Sequence, residues 1–237
     1  MTLFAYPPQA TVNRVLPKNK VYANATISTR LRQAFVADLH QIVWRAKLAP
    51  ETIRLAATKD VPEIQVFELA LKGTEFNEDI ARTIDAAIPF PIVFELSFEG
   101  KIRILAAWKR PTAADPTKWV TGHYLGTPWQ PADTPREALP VALNMGGLYE
   151  QMLLALSPEP PRRGERLAEH MERLGRIRDL EAESGKLERK LAQEKQFNRK
   201  VEINAMLRSI KQRLESETFS AVLASEAKQS SVQDGPS

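Results

Sequence analysis

Residues 165–218 run without a single proline, directly after the proline-rich joint Ser157-Pro158-Glu159-Pro160-Pro161-Arg162-Arg163-Gly164. All four Trp, all four Tyr and seven of the nine Phe lie before Pro158. The front of the chain therefore holds the large anchors a core needs, and the rest does not. A charge-dense segment with few anchors cannot bury a core alone; it has to pair with another helix or lie on another surface. The reading is a compact domain over 1–157, a Pro-rich linker over 158–164, a helical arm over 165–218 and a disordered tail over 219–237, which is small, polar and aperiodic.

Charge follows the same division. Residues 1–161 carry 17 Lys and Arg against 16 Asp and Glu, and residues 162–218 carry 15 against 11. The basic excess sits on the arm and is weaker than that of a nucleic-acid-binding tail. With no Cys in the chain, neither a disulfide framework nor a thiolate metal site is available. No apolar run reaches the roughly 18–20 residues of a membrane span. The opening residues lack the pattern of a signal peptide, so the expected location is the cytoplasm, away from any membrane.

Within the front domain, Ser28 or Thr29 can cap a helix running to about Lys47, with Leu31, Phe35, Leu39, Ile42, Val43 and Ala46 recurring at three and four. Residues 1–27, broken by Pro7, Pro8 and Pro17, read as irregular. Glu63–Leu71 is apolar on both faces apart from Glu68, as a central strand would be. A helix follows over about 77–87. Ile92, Phe94, Leu96 and Phe98 alternate with Val93, Glu95 and Ser97, and Ile102, Ile104, Ala106 and Trp108 alternate after Glu99-Gly100, which predicts a β-hairpin. A further strand spans about 119–125 and a short helix about 148–156. The order predicts an α+β domain with a mainly antiparallel sheet and flanking helices.

The arm carries an apolar stripe from Leu167 through Leu214, but its heptad phase drifts. Ser184, Glu194 and Asn198 interrupt the seam that a coiled coil requires. Gly175 and Gly185 each cost about 1 kcal/mol within a helix, so Ser184-Gly185 is a candidate break, and both one continuous helix and a hairpin folded at Gly185 fit the sequence. Unbroken, the arm would be a rod of roughly 80 Å.

Chemistry is sparse. His40, His123 and His170 sit on separate predicted elements with no metal-ligand spacing, so no metal is expected. No Gly-rich phosphate loop and no Gly-x-Ser-x-Gly elbow occur, and no cofactor is expected. Glu63 and Glu68 are weak candidates for a Mg²⁺-dependent nuclease, but five residues apart on one strand they face opposite sides. Arg14, Lys18 and Lys20 at the front, with Arg103, Lys109 and Arg110 on the second hairpin strand, are candidates for phosphate contact, whose bland alternative is a solvated sheet face. Phe197, the only aromatic in the arm, together with Asn198, Val201, Asn204 and Leu207, forms a candidate docking epitope. Its bland alternative is packing against a neighbouring helix.

Several motifs at ordered spacing resemble one bacterial family. They are Phe4-Ala5-Tyr6-Pro7, Asn13-Arg14, Leu16-Pro17-Lys18, the stretch Trp44 to Ile53, Glu63-Ile64-Gln65-Val66-Phe67, Ile84-Asp85, Ile88-Pro89-Phe90-Pro91, Lys109-Arg110, Leu148-Tyr149-Glu150 and the run from Lys195 to Asn204. Together they resemble the family catalogued as domain of unknown function 4391. That resemblance implies genes placed beside superfamily 2 helicases and site-specific DNA methyltransferases, as in restriction-modification or phage-defence loci. It carries no catalytic residue. The expectation is a non-enzymatic accessory subunit whose arm mediates homo-oligomerisation or docking to a helicase or methyltransferase. A Mg²⁺-dependent nuclease and a direct DNA-binding subunit are the alternatives.

Overall fold

Glu99 and Gly100 adopt φ of 43° and 71°, the left-handed backbone that a two-residue hairpin turn requires. They join β5 (Ile92–Phe98) to β6 (Lys101–Pro111) in the antiparallel register Phe98↔Lys101 through Val93↔Ala106. The computed structural model describes residues 3–23, 25, 27–112, 114–115 and 118–218. The tail expected over 219–237 lies outside the described residues. The chain divides into two units, Met1–Pro158 and Glu159–Ser237.

The first unit is α+β. After β1 (Leu3–Ala5) come β2 (Thr11–Val15), α1 (Lys18–Ala23), α2 (Thr29–Asp38), β3 (Leu39–Leu48) and α3 (Pro50–Ile53). Then follow β4 (Ile64–Leu71), α4 (Glu78–Ala87), the β5–β6 hairpin, β7 (Trp119–Gly126), β8 (Gln130–Pro131), β9 (Arg136–Ala138) and α5 (Met145–Leu156). The main sheet has the order β2-β3-β4-β5-β6-β7, with β8 on the start of β6. Only β4 and β5 run parallel along that path, joined by the crossover helix α4. β1 and β9 form a separate parallel pair.

One sheet face carries Phe67, Leu69, Phe94, Leu96 and Leu105, packed with Phe35 of α2 and Ile80 and Ile84 of α4. Local chemistry explains the helices. Ser28 Oγ accepts from Leu31 N at 3.2 Å to start α2, and Asn77 Oδ1 accepts from Asp79 N at 3.0 Å to start α4.

Two expectations require correction. The helix expected to continue to Lys47 ends at Asp38, and Leu39–Leu48 is a strand paired on both sides. β3 holds two bulges, between Leu39 and Gln41 and between Trp44 and Ala46. The first bulge adds a residue and reverses the alternation, so Leu39 and Ile42 share the core face three residues apart; with Ala46, buried on the other face beside Val66, they imitate a helical stripe. Residues 1–27, expected to be irregular, contain β1, β2 and α1.

The second unit is a helical hairpin of α6 (Leu167–Gln193) and α7 (Phe197–Thr218). At 1.5 Å per residue these are about 40 Å and 33 Å long. The chain turns at 194–196, where Glu194 Oε1 accepts from Lys195 N at 2.8 Å and Gln196 N at 2.9 Å. The candidate break at Ser184-Gly185 is not where the chain turns: α6 passes through both residues. Ser184 is buried in the apolar seam, where a small side chain suits close helix approach. Leu174, Ile177 and Leu180 line that seam from α6, and Ile203, Leu207 and Ile210 from α7. Packing offsets the helix propensity that Gly185 lacks.

Candidate functional site

Two strand irregularities face each other on β2 and β3. β2 shifts register between Thr11 and Arg14, with Asn13 at φ 48°, opposite the β3 bulge that contains Arg45. Bulges re-aim side chains, and here they bring Asn13 and Arg45 together: Arg45 Nη1 donates to Asn13 Oδ1 at 3.2 Å. Arg45 Nε also lies 3.5 Å from Glu68 Oε2, and Ser97 Oγ donates to Glu68 Oε1 at 2.9 Å.

Glu68 stands in register with Glu95 on the neighbouring parallel strand, so both carboxylates share the sheet face opposite the Phe67–Phe94 core. Glu95 is 1% exposed and is held bidentately, with Arg136 Nη1 donating to Oε1 at 2.6 Å and Nη2 to Oε2 at 3.0 Å. Arg136 Nη1 also donates to Phe4 O at 2.8 Å, which ties β9 to β1. The buried charge is therefore fully paired, as a charge out of water must be. Tyr6 sits beneath the Arg136 guanidinium, 6.0 Å from ring centroid to Cζ. Its hydroxyl is buried without a completed hydrogen bond, and burial, reinforced by nearby Glu95, pushes the phenol well above its ordinary pKa. Ala5, Tyr6, Thr11, Asn13, Arg45 and Arg136 line a cleft of about 260 Å³.

Of the two acidic candidates, the structure brings only Glu68 to this cluster. Glu63 belongs elsewhere, paired with Lys47 Nζ at 3.0 Å and accepting from Gln65 Nε2 at 2.6 Å. Among the described residues no group of three His, Cys, Asp or Glu side chains is placed to hold a metal.

The phosphate-contact set does not form one patch. Arg14 lies on β2, whereas Arg103, Lys109 and Arg110 lie on β6, four strand steps or about 19 Å across the sheet. Lys18 Nζ is committed to Leu39 O at 2.7 Å, and Lys20 lies beside it on α1. Arg103 covers the Trp129 ring and Arg110 the Trp108 ring, at 5.4 Å and 3.9 Å. Lys109 is the clear correction. Expected on a solvated face, it is 1% exposed and donates to the carbonyls of Asp85 and Ile88 at the end of α4. Asp85 Oδ1 lies 3.5 Å from its Nζ, and Tyr124 Oη donates to Asp85 Oδ2. Lys109 follows Leu105 and Ala107 on the β6 face that α4 covers, so the strand's own alternation turns it inward. The extra residue of the neighbouring register shift lies on β7, between Thr121 and Tyr124, and Tyr149 of α5 fills the gap it leaves in the ladder, accepting from Lys109 N at 3.0 Å and donating to Ala107 O.

The docking candidates divide as well. Phe197 is 78% and Val201 53% exposed. At 100° per residue they share one stripe with the exposed Asn204, about a third of a turn from the Ile203–Leu207–Ile210 seam. Asn198 is exposed beside that stripe. Leu207 is buried in the seam and cannot contact a partner directly.

Far from the turn, contacts that sequence reading missed tie the start of α6 to the segment before it and to the end of α7, including the Arg176–Glu217 ion pair at 2.9 Å. Arg173, 1% exposed, donates through Nε to Glu165 Oε1 at 2.7 Å and through Nη2 to Glu165 Oε2 at 2.9 Å and Pro160 O at 3.0 Å. Its Nη2 also lies 2.9 Å from His170 Nδ1. Arg162 Nη2 donates to Ser216 O and Glu217 O at 3.2 Å and 2.8 Å, placing a cation on the negative end of α7. Hydrogen bonding to Arg173 holds the Glu165 carboxyl down at about 2. The signal available in the sequence was the i, i+3 pair His170 and Arg173 inside an otherwise apolar stripe.

The family model that matches the chain, over residues 4–214, is the one described as Domain of unknown function (DUF4391). No curated protein and no solved structure matches it. Among the described residues no helix is long and apolar enough to cross a membrane.

Proposed function

We propose that this chain, which belongs to the DUF4391 family, is a non-enzymatic accessory subunit that docks a protein partner through its helical hairpin. The observation behind this reading is the exposed Phe197–Val201 stripe beside the turn of a hairpin that is ion-paired at its other end. An exposed aromatic with an apolar neighbour one turn away is the form of a protein-binding anchor. Residues 186–202 carry six Lys and Arg against Glu188, Glu194 and Glu202, and that basic balance in the segment holding the stripe suits an apolar pocket with an acidic rim. Following the gene neighbourhoods that the family resemblance implies, the partner is a helicase or DNA methyltransferase of a bacterial restriction-modification or phage-defence complex.

The test is co-expression of the full chain with the helicase and methyltransferase encoded beside it. Phe197→Asp with Val201→Asp should weaken co-purification at least tenfold, the effect of losing a binding anchor. Thermal unfolding should be unchanged, because both side chains are largely in solvent. Unaltered co-purification of the double variant would sink the docking assignment. Metal-dependent DNA cleavage abolished by Glu68→Gln would move the assignment to the nuclease reading.

A further inference from the structure

We infer that the cleft lined by Tyr6, Thr11, Asn13, Arg45 and Arg136 is a binding site for a phosphate group. Three observations converge on it. The first is a donor-rich lining: Arg45 commits Nη1 to Asn13 and its Nε edge to Glu68, so its Nη2 edge makes no hydrogen bond among the described residues. Arg136 spends Nη1 on Glu95 and Phe4 and one Nη2 hydrogen on Glu95, and its Nε makes no hydrogen bond among the described residues. The Tyr6 hydroxyl is buried beside the Glu95 carboxylate and completes no hydrogen bond of normal geometry.

The second observation is preorganisation. Arg136 is fixed from behind by buried Glu95, so its orientation is set before any ligand arrives. Glu68 and Asn13 fix Arg45 in the same way. The third is local backbone strain. Asn13 holds a left-handed φ of 48° inside a strand, opposite a second bulge at Arg45. Such strain concentrates where side chains are aimed at a ligand.

Two guanidinium groups on different walls, with Tyr and Thr hydroxyls and an Asn amide, supply more donors than the two oxygens of a carboxylate can accept. A tetrahedral phosphate offers oxygens in several directions and matches guanidinium forks. The roughly 260 Å³ available accommodates a phosphate group rather than a large ligand. The source is either a small phosphate-bearing molecule or the terminal phosphate of a nucleic acid strand.

The experiment titrates the full chain with inorganic phosphate at constant ionic strength, by calorimetry and by the shift in thermal midpoint that binding to the native state produces. Saturable binding is expected, weakened at least tenfold by Arg45→Ala. Tyr6→Phe, which keeps the ring beneath Arg136, should weaken it severalfold with an unchanged circular dichroism spectrum. Acetate should bind at least tenfold more weakly than phosphate. A single-stranded oligonucleotide with a 5′-phosphate, compared with its 5′-hydroxyl twin, separates the two sources, and a preference for the phosphorylated strand points to nucleic acid. No saturable phosphate binding by the wild-type chain, equal affinity for acetate, or affinity unchanged in both folded variants would overturn the inference.

Discussion

Lys109→Ala should destabilise the first unit by about 3–5 kcal/mol, the scale expected when one partner of a buried ion pair is removed. Lys109 Nζ holds the last carbonyls of α4 and lies 3.5 Å from Asp85 Oδ1, with both side chains almost wholly buried. Its loss would leave the Asp85 carboxyl with Tyr124 alone and two helix-end carbonyls without a donor. Denaturant unfolding followed by tryptophan fluorescence reads the effect, since all four Trp lie in this unit. Lys109→Arg should rescue little, because a planar fork does not fit a pocket built for a point charge. Lys109→Met with Asp85→Asn should recover much of the loss, since it removes both charges together. An Ala variant within 1 kcal/mol of wild type would show that the pair contributes nothing of this size.

The same pair predicts a pH dependence. Burial pushes Asp85 up to about 6, with Lys109 and Tyr124 pulling it back down. A carboxyl whose folded pKa lies above its unfolded value of about 3.9 stabilises the fold while both states are protonated. That contribution is fully present below about pH 4 and is lost as pH rises through about 6. Asp85→Asn should remove this falling segment from the stability curve, and a slope that persists in the variant would assign it to another group.

The second large effect is Arg173→Ala in the hairpin, expected to cost about 3 kcal/mol. The guanidinium joins Glu165, Pro160 and His170 and reaches the end of α7 at Glu217 O, 3.4 Å away. Its removal leaves the Glu165 carboxylate with only Arg162 N and His170 beside it and takes away a link from α6 to the end of α7. Hydrogen exchange on α7 amides should accelerate roughly a hundredfold, which is that cost expressed as an opening equilibrium. Unchanged protection in α7 would show that the apolar seam alone holds the helices. Acid acts in the same direction. The folded pKa of Glu165 is depressed to about 2, so its contribution is present above the ordinary Glu range and is lost as pH falls towards that value. α7 protection should accordingly weaken in acid in the wild type, and much less in Arg173→Ala.

Both effects rest on residues whose roles depend on distant partners. Lys109 reads as a solvated charge at the end of an alternating strand, and nothing local announces that α4 covers its face of the sheet. Arg173 reads as an ordinary helix charge until Pro160, Glu165 and Glu217 gather around it. The cleft is lined from β1, β2, β3 and β9, with Glu68 of β4 and Glu95 of β5 holding its arginines, and its Arg136–Phe4 contact joins positions 132 residues apart. Phe197 and Val201, by contrast, were legible as one stripe because an α-helix fixes the angle between neighbours.

The sequence by itself determined the division at the Pro-rich joint, the β5–β6 hairpin, the start of α2 at Ser28 or Thr29, and the helical character of 167–193 and 197–218. Each depends on hydrogen bonds and side-chain periods confined to a few consecutive residues. The tertiary structure alone decided that Leu39–Leu48 is a strand, that the hairpin turns at Glu194 rather than Gly185, and which charges are buried. Pairing partners, desolvation and ion pairing are set by groups remote in the chain, and their energies exceed the local preferences they override.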